Sequence, residues 1–303
     1  MANFLIWITI PSRTVKFRTE NKTFCTNETV NIRGRLISLA NPRIMGVLNI
    51  TPDSFYQGSR FDSEEAILRQ SEKMLQEGAT FIDVGGYSSR PGAEKISESE
   101  EVRRTSTAIR LIIKNFPEAI ISIDTFRVEV ADVALQEGAS MINDISGGAL
   151  DAGMFAFVAK ARVPYILMHM RGDPKTMAAM SHYDNVVKDV TDYFHERIHQ
   201  LEALGVRDII VDPGFGFAKN IEQNSKLLQS LEYLKILNKI ILVGISRKSM
   251  IWKSLATTPD EALNGTTCLN TVAVLKGANI LRVHDVKEAV EVCKLISTIT
   301  PSA

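Results

Sequence analysis

Eight apolar stretches of this chain run out into groups that can hydrogen-bond or carry charge. In order they end at Asn49, Asp83, Asp124, Asn143 with Asp144, Met168 with His169, Asp212, Ser246 with Lys248, and Arg282 with His284. Core packing demands none of these, and an unpaired charge there would be costly. Taken singly, each can be a loop cap or a neighbour's partner. Taken together they divide by chemistry. Carboxylates and amides suit a flat heterocycle rich in N–H donors and ring acceptors. Lys248, Arg282, His284 and Arg90 suit anionic groups such as a diphosphate or a carboxylate. The set predicts a two-sided pocket, with a heterocycle below and an anion above.

These groups meet only if their strands all end on one side. Residues 63–77 place Ile67, Ser71, Met74 and Leu75 on one helical face; Asp62 or Ser63 can cap its start, and Gly78 follows its end. The strand "TFIDVGG" comes next. The same helix, glycine and strand unit returns as "LQEGASMINDISGG" (135–148), "LEALGVRDIIVDPGFG" (201–216) and "VLKGANILRVHD" (274–285). Glycine suits the position because the chain leaves the helix in a left-handed conformation. With "IMGVLNI" (44–50), "IISIDT" (120–125), "PYILMHM" (164–170) and "IILVGIS" (240–246), eight strands alternate with eight helices.

Near-continuous apolar strands indicate a parallel sheet buried on both faces. Eight βα repeats then indicate an α/β fold closed into a single (β/α)8 TIM barrel, the alternative being an open doubly wound sheet. In such a barrel the chemistry collects at the C-terminal ends of the strands. The last helix, Val286 to Ile299, uses almost the whole chain, so residues 31–303 read as one catalytic domain. Residues 1–30 read as an N-terminal extension, and "NIRGRLISL" (31–39) as a hairpin closing the barrel bottom.

Composition narrows the partners. The 303 residues carry thirty-five basic and thirty-five acidic side chains, so no global field favours nucleic acid or anionic lipid. Cys25, Cys268 and Cys293 are sparse, odd in number and without a C-x-x-C pair, which fits a reducing compartment such as the cytoplasm. The apolar run Phe4 to Ile10 is too short to span a bilayer, and no basic residue precedes it.

The segments "MGVLNITPDSF", "DVGGYSSRPGA", "INDISG", "LMHMRGDPKTM", "DPGFGFAKN", "GISRKSM" and "RVHDV" resemble, in order and spacing, the signatures of the dihydropteroate synthase family. The resemblance covers residues 44–298 and implies a TIM barrel that joins 6-hydroxymethyl-7,8-dihydropterin diphosphate to 4-aminobenzoate in folate synthesis. It also implies inhibition by sulfonamides, which mimic the aminobenzoate, and a homodimer formed through outer helices. By motif, Asp124, Asn143, Asp212 and Lys248 would hold the pterin, with Met168 and Phe217 as walls of its slot or simply as core. Asn49, Arg90, Arg282 and His284 would face the diphosphate. Ser246, Ser89, Arg90, Pro91 and Phe55 would serve the aminobenzoate. Asn49 would also take a magnesium ion, since Mg²⁺ keeps waters and binds phosphate oxygens plus one or two protein oxygens. Asn49, Arg90, Lys248, Arg282 and His284 are therefore the expected catalytic set. Loops "TPDSFYQGSR" and "GYSSRPGAEK" would close over the diphosphate as lids.

Three departures and one decoy stand out. Many family members have Asp-Gly-Gly where this chain has Gln57-Gly58-Ser59, and glutamate where it has Tyr87. Ala218 stands where glycine is common. "HERIH" (195–199) matches the H-E-x-x-H zinc pattern, but its helix buries Val187, Val190, Phe194, Ile198 and Leu201, which leaves both histidines far from the strand ends. Two other functions share the pterin carboxylates. One is a pterin-binding methyltransferase of the same barrel type, which has no use for the S-x-R-P-G loop. The other is a non-catalytic pterin-binding paralogue.

Overall fold

The computed structural model describes residues 28–50, 60–87, 96–172, 176–177 and 180–299. The chain opens with an antiparallel hairpin of β1 (Thr29–Ile32) and β2 (Arg35–Ser38). Its two-residue turn, Arg33-Gly34, has both residues at positive φ (52° and 79°), the twist that lets adjoining strands pair without splaying. The hairpin expected over 31–39 thus begins at Thr29, and Thr29 and Val30 belong to it rather than to the extension.

Eight parallel strands follow: β3 (Arg43–Asn49), β4 (Phe81–Gly85), β5 (Ile120–Asp124), β6 (Met141–Asp144), β7 (Tyr165–Met168), β8 (Ile209–Asp212), β9 (Ile240–Val243) and β10 (Ile280–Val283). Each pairs with its sequence neighbour, and β10 pairs with both β9 and β3, so the sheet closes. The expected barrel is therefore the observed one, and no open sheet edge is left in it. Gly78, Gly138, Gly205 and Gly277, the four glycines of the recurring unit, all have φ between 87° and 112°. The helix expected over 63–77 starts earlier, at Arg60, and the last runs over Val286–Ile299 as read from the sequence.

Side chains alternate across each strand. Outward residues such as Ile82, Ile121, Ile142, Val211 and Leu281 pack with the helices in one continuous core. Inward residues from the lower half, Met45, Phe81, Met141, Ile166, Ile210, Ile240 and Ile280, pack with Val30 and Ile32 of the hairpin. The hairpin is thus an apolar plug. It is tied to the barrel by Asn31 N–H, which donates to Asp208 Oδ1 at 2.9 Å. Among the described residues no helix is long and apolar enough to cross a membrane.

Candidate active site

Two to four residues further along the same inward rows, the side chains become polar. Parallel register sets Asn49 beside Gly85, Gly85 beside Asp124, and Asp124 beside Asn143. Gly85 leaves the space between its neighbours open: a Cβ there would lie 3.5 Å from Asp124 and 3.6 Å from Asn49 Oδ1. Gly244 does the same on the other side, where a Cβ would lie 3.8 Å from both Arg282 and Asp212 Oδ2. Asn49, Asp124, Arg282 and Asp212 therefore line one cup at the barrel mouth.

Arg282 is its hub. Its Nε donates to Asp83 Oδ2 and its Nη2 to Asp124 Oδ2, each at 2.6 Å. Asp83 is fully buried and also accepts from Asn143 Nδ2 at 2.9 Å. That bond fixes which way the Asn143 amide faces. Its oxygen is turned away from Asp83, available as an acceptor. Two carboxylates thus share one guanidinium. Burial, partly offset by Arg282 and reinforced by Asp83, pushes Asp124 up to about 7. Arg282 remains protonated, its guanidinium held by both carboxylates.

Asp212 stands across the cup, with its Oδ1 accepting from Gly214 N–H at 2.7 Å. Burial raises its carboxyl above the ordinary range, and Lys248 opposes that shift. Burial likewise brings Lys248 down to about 8. Lys248 Nζ donates to Phe215 O at 2.6 Å and lies 4.7 Å from the centre of the Phe217 ring. Met168 and Phe217 belong to a small apolar cluster with Ile145, Met170, Met177 and Ala218 at this end of the barrel. The slot thus has an apolar wall beside its acids. Ser246 Oγ accepts from His284 N–H at 3.2 Å, joining the ends of β9 and β10. Phe55, Ser89, Arg90, Pro91 and Gln57 lie outside the described residues, as do most of the two expected lid loops.

Not every polar strand end faces the cup. Asp144 accepts from Tyr165 Oη, Ser146 Oγ, and the N–H groups of Ser146 and Gly148, which makes it a loop anchor. His169 stacks edge-on against Tyr193 with ring centres 4.7 Å apart. His195 and His199 of "HERIH" are exposed on the Val186–Ala203 helix, whose buried face is Val186, Val190, Phe194, Ile198 and Leu201. Among the described residues no group of three His, Cys, Asp or Glu could hold a metal ion.

Sequence reasoning gave Asp83 no role beyond ending a strand. The available signal was its position two residues from Phe81, which puts a charge on an inward face where a cation must meet it. A second buried acid, Glu101, was not singled out at all. It accepts from Thr125 Oγ1 and Arg127 Nη1, both at 2.7 Å, while Arg127 Nη2 donates to Ile96 O at 3.2 Å. Tyr87 packs edge-on against Phe126 above this network, with ring centres 5.4 Å apart. The Tyr87 departure therefore sits in an aromatic contact beside the β5 end.

A closed α/β barrel with acids and cations gathered at its strand ends defines a class, and comparison with known proteins gives the family. The model of the family described as pterin binding enzyme matches residues 45–284. The dihydropteroate synthase of Escherichia coli K12 is 42% identical over 270 residues, covering 87% of this chain and 94% of that protein. Among solved structures, the Yersinia pestis dihydropteroate synthase with a sulfonamide drug complex superposes with a TM-score of 0.84 at 37% identity. It covers 89% of this chain and 98% of that one. The Xanthomonas albilineans dihydropteroate synthase in complex with 7,8-dihydropteroate gives a TM-score of 0.81 at 34% identity, covering 91% of this chain and all of that one (100%). The chain belongs to the dihydropteroate synthase family of pterin-binding enzymes.

Proposed function

We propose that the protein joins 6-hydroxymethyl-7,8-dihydropterin diphosphate to 4-aminobenzoate, giving 7,8-dihydropteroate and diphosphate. The observation that carries this reading is the cup itself, in which Asp124 and Asp212 flank Arg282 beside Lys248. A carboxylate accepts from the pterin 2-amino group and N3–H in a paired geometry, and Asp212 is oriented for this by Gly214. Asn143 offers its amide oxygen alongside, Lys248 takes the ring carbonyl side, and Met168 and Phe217 flank the ring. Arg282, with Asn49, Arg90 and His284, takes the diphosphate. Because Asp83 keeps the Arg282 Nε, turning the Nη groups toward an anion releases Asp124 to a pterin N–H. Ser246, Ser89, Pro91, Phe55 and Arg90 make the aminobenzoate side, where a sulfonamide competes.

The reaction needs no nucleophilic side chain. The bond from the exocyclic carbon to diphosphate breaks with its electron pair on the leaving oxygen. The arylamine nitrogen forms the new C–N bond to that carbon and then loses a proton. Arg282, His284 and Arg90 stabilise the departing charge. A magnesium ion, when bound, adds Lewis-acid stabilisation of the leaving group. Asn49 is a partly exposed neutral oxygen donor close to Asp124, which fits an ion that arrives with the diphosphate and keeps most of its waters.

With magnesium and both substrates, the protein is expected to release diphosphate in proportion to the aminobenzoate consumed. Pterin binding without release would instead identify a binding-only paralogue, and methyl transfer from a folate to a corrinoid would identify a methyltransferase. A homodimer through the outer helices is part of the same proposal, supported by exposed Leu275, Leu295 and Ile299 on the last two helices. Sedimentation as a monomer would overturn it. The cytoplasm is the proposed compartment, and cell fractionation tests it.

A further inference from the structure

The turn after β8 is braced by two lysines, one of which has no part in the site as described so far. Gly214, Gly216 and Ala218 all have positive φ (68°, 81° and 50°). A Cβ on Gly214 would lie 2.0 Å from His169 O, so no other residue fits there. The turn offers three carbonyls to ammonium groups. Lys248 takes Phe215 O, whereas Lys219, itself buried, donates to Gly214 O and Phe217 O, each at 3.0 Å. Lys219 Nζ also lies 2.9 Å from His169 Nδ1. Burial, reinforced by Lys219 beside it, holds the His169 ring neutral.

None of these three partners is a carboxylate, yet a buried charge without compensation is costly. Burial accordingly pulls Lys219 well below its ordinary range; Asp212 opposes that shift, and Lys248 and Arg171 add to it. Asp212 in turn faces Lys248 from beyond β9, Arg282 from β10, Lys219, and the Gly214 N–H of its own turn. Lys219 therefore lies beneath the acid expected to grip the pterin and beneath the loop that carries Phe217.

We propose that Lys219 is a positioning residue of the pterin slot. It holds the Gly214 and Phe217 carbonyls from below, fixing the Phe217 ring and the turn whose Phe215 carbonyl seats Lys248. This inference rests on the pterin reading above. The test compares wild type with Lys219→Met by calorimetry with the pterin diphosphate and magnesium at neutral pH, alongside thermal melting. The variant is expected to bind the pterin diphosphate roughly tenfold more weakly at neutral pH. The KM for aminobenzoate should stay within about twofold. Lys219→Gln keeps a donor to the turn carbonyls and should recover part of the lost affinity; it also serves if the methionine variant does not fold. Lower melting in both variants, with wild-type affinity for the pterin diphosphate in the folded proteins, would mark a plain loop staple and overturn the proposal. If wild type itself fails to bind the pterin diphosphate, the proposed function falls instead.

Discussion

The two ends of the barrel interior use the same strands and the same inward rows, but opposite chemistry. At the bottom, Met45, Phe81, Ile166, Ile210 and Ile280 close against the hairpin side chains Val30 and Ile32. At the top, the rows that contain Met45, Phe81 and Ile210 reach Asn49, Asp83 and Asp212, and the row of Ile280 reaches Arg282. A step of two residues along a strand keeps the face and changes the depth. Stability and chemistry are thus separated by depth within one barrel rather than by separate domains.

The comparison can be broken from either end. Phe81→Ala, in the fully buried bottom row, should cost about 3–5 kcal/mol of stability while leaving pterin affinity of the folded protein unchanged; denaturant unfolding with calorimetry checks both. Asp212→Ala should remove about 3 kcal/mol or more of pterin binding, and near-normal affinity by calorimetry would contradict the assigned pocket. Arg282→Ala should weaken the pterin diphosphate far more than the free pterin alcohol. Equal losses would count against its place at the anion.

Titration sharpens the same contrast, because the acids and cations on the described inward rows sit at the top. Asp124 is raised from 3.8 to about 7 on folding, so the folded state holds its proton more tightly than the unfolded chain. Its contribution to stability is therefore complete below the unfolded value and is lost as pH rises through about 7. Urea unfolding of wild type and Asp124→Asn across that window should show a steeper slope in wild type. Pterin affinity should run the other way on its acid side, rising as Asp124 ionises near 7, and fall again above about 8 as Lys248 loses its proton. The smallest expected effect is that of Gln57→Asp, which should keep or raise turnover; a tenfold or greater fall in single-turnover rate would show that glutamine has a role of its own.

The bottom of the barrel was more legible in the sequence than the top. Strand order, the four helix-ending glycines and the hairpin follow from local rules, since apolar alternation and left-handed positions are written within a few residues. Asn49, Asp124, Asp212 and Arg282 were also legible as strand ends. Depth was not. Whether Asp83 lies at the cup's surface or below it depends on the stagger of β4 against β3 and β5, which no single strand encodes. Asp144 and His169 looked like Asp124 and Met168 in the sequence, but one residue along a strand reverses the face. Lys219 was hidden for a related reason. Its inward direction depends on a turn with three left-handed residues, one of them alanine, which carries no local signal for that conformation.

In the proposed reaction, one cup at the strand ends takes a pterin ring by its acids and a diphosphate by its cations. A crystal structure with the pterin diphosphate and magnesium soaked in tests it most directly. The expected result is the ring edge on Asp212 and Asn143, with the diphosphate on Arg282 and the ion beside Asn49. A ring bound elsewhere, with Asp212 left facing solvent or protein, would contradict it.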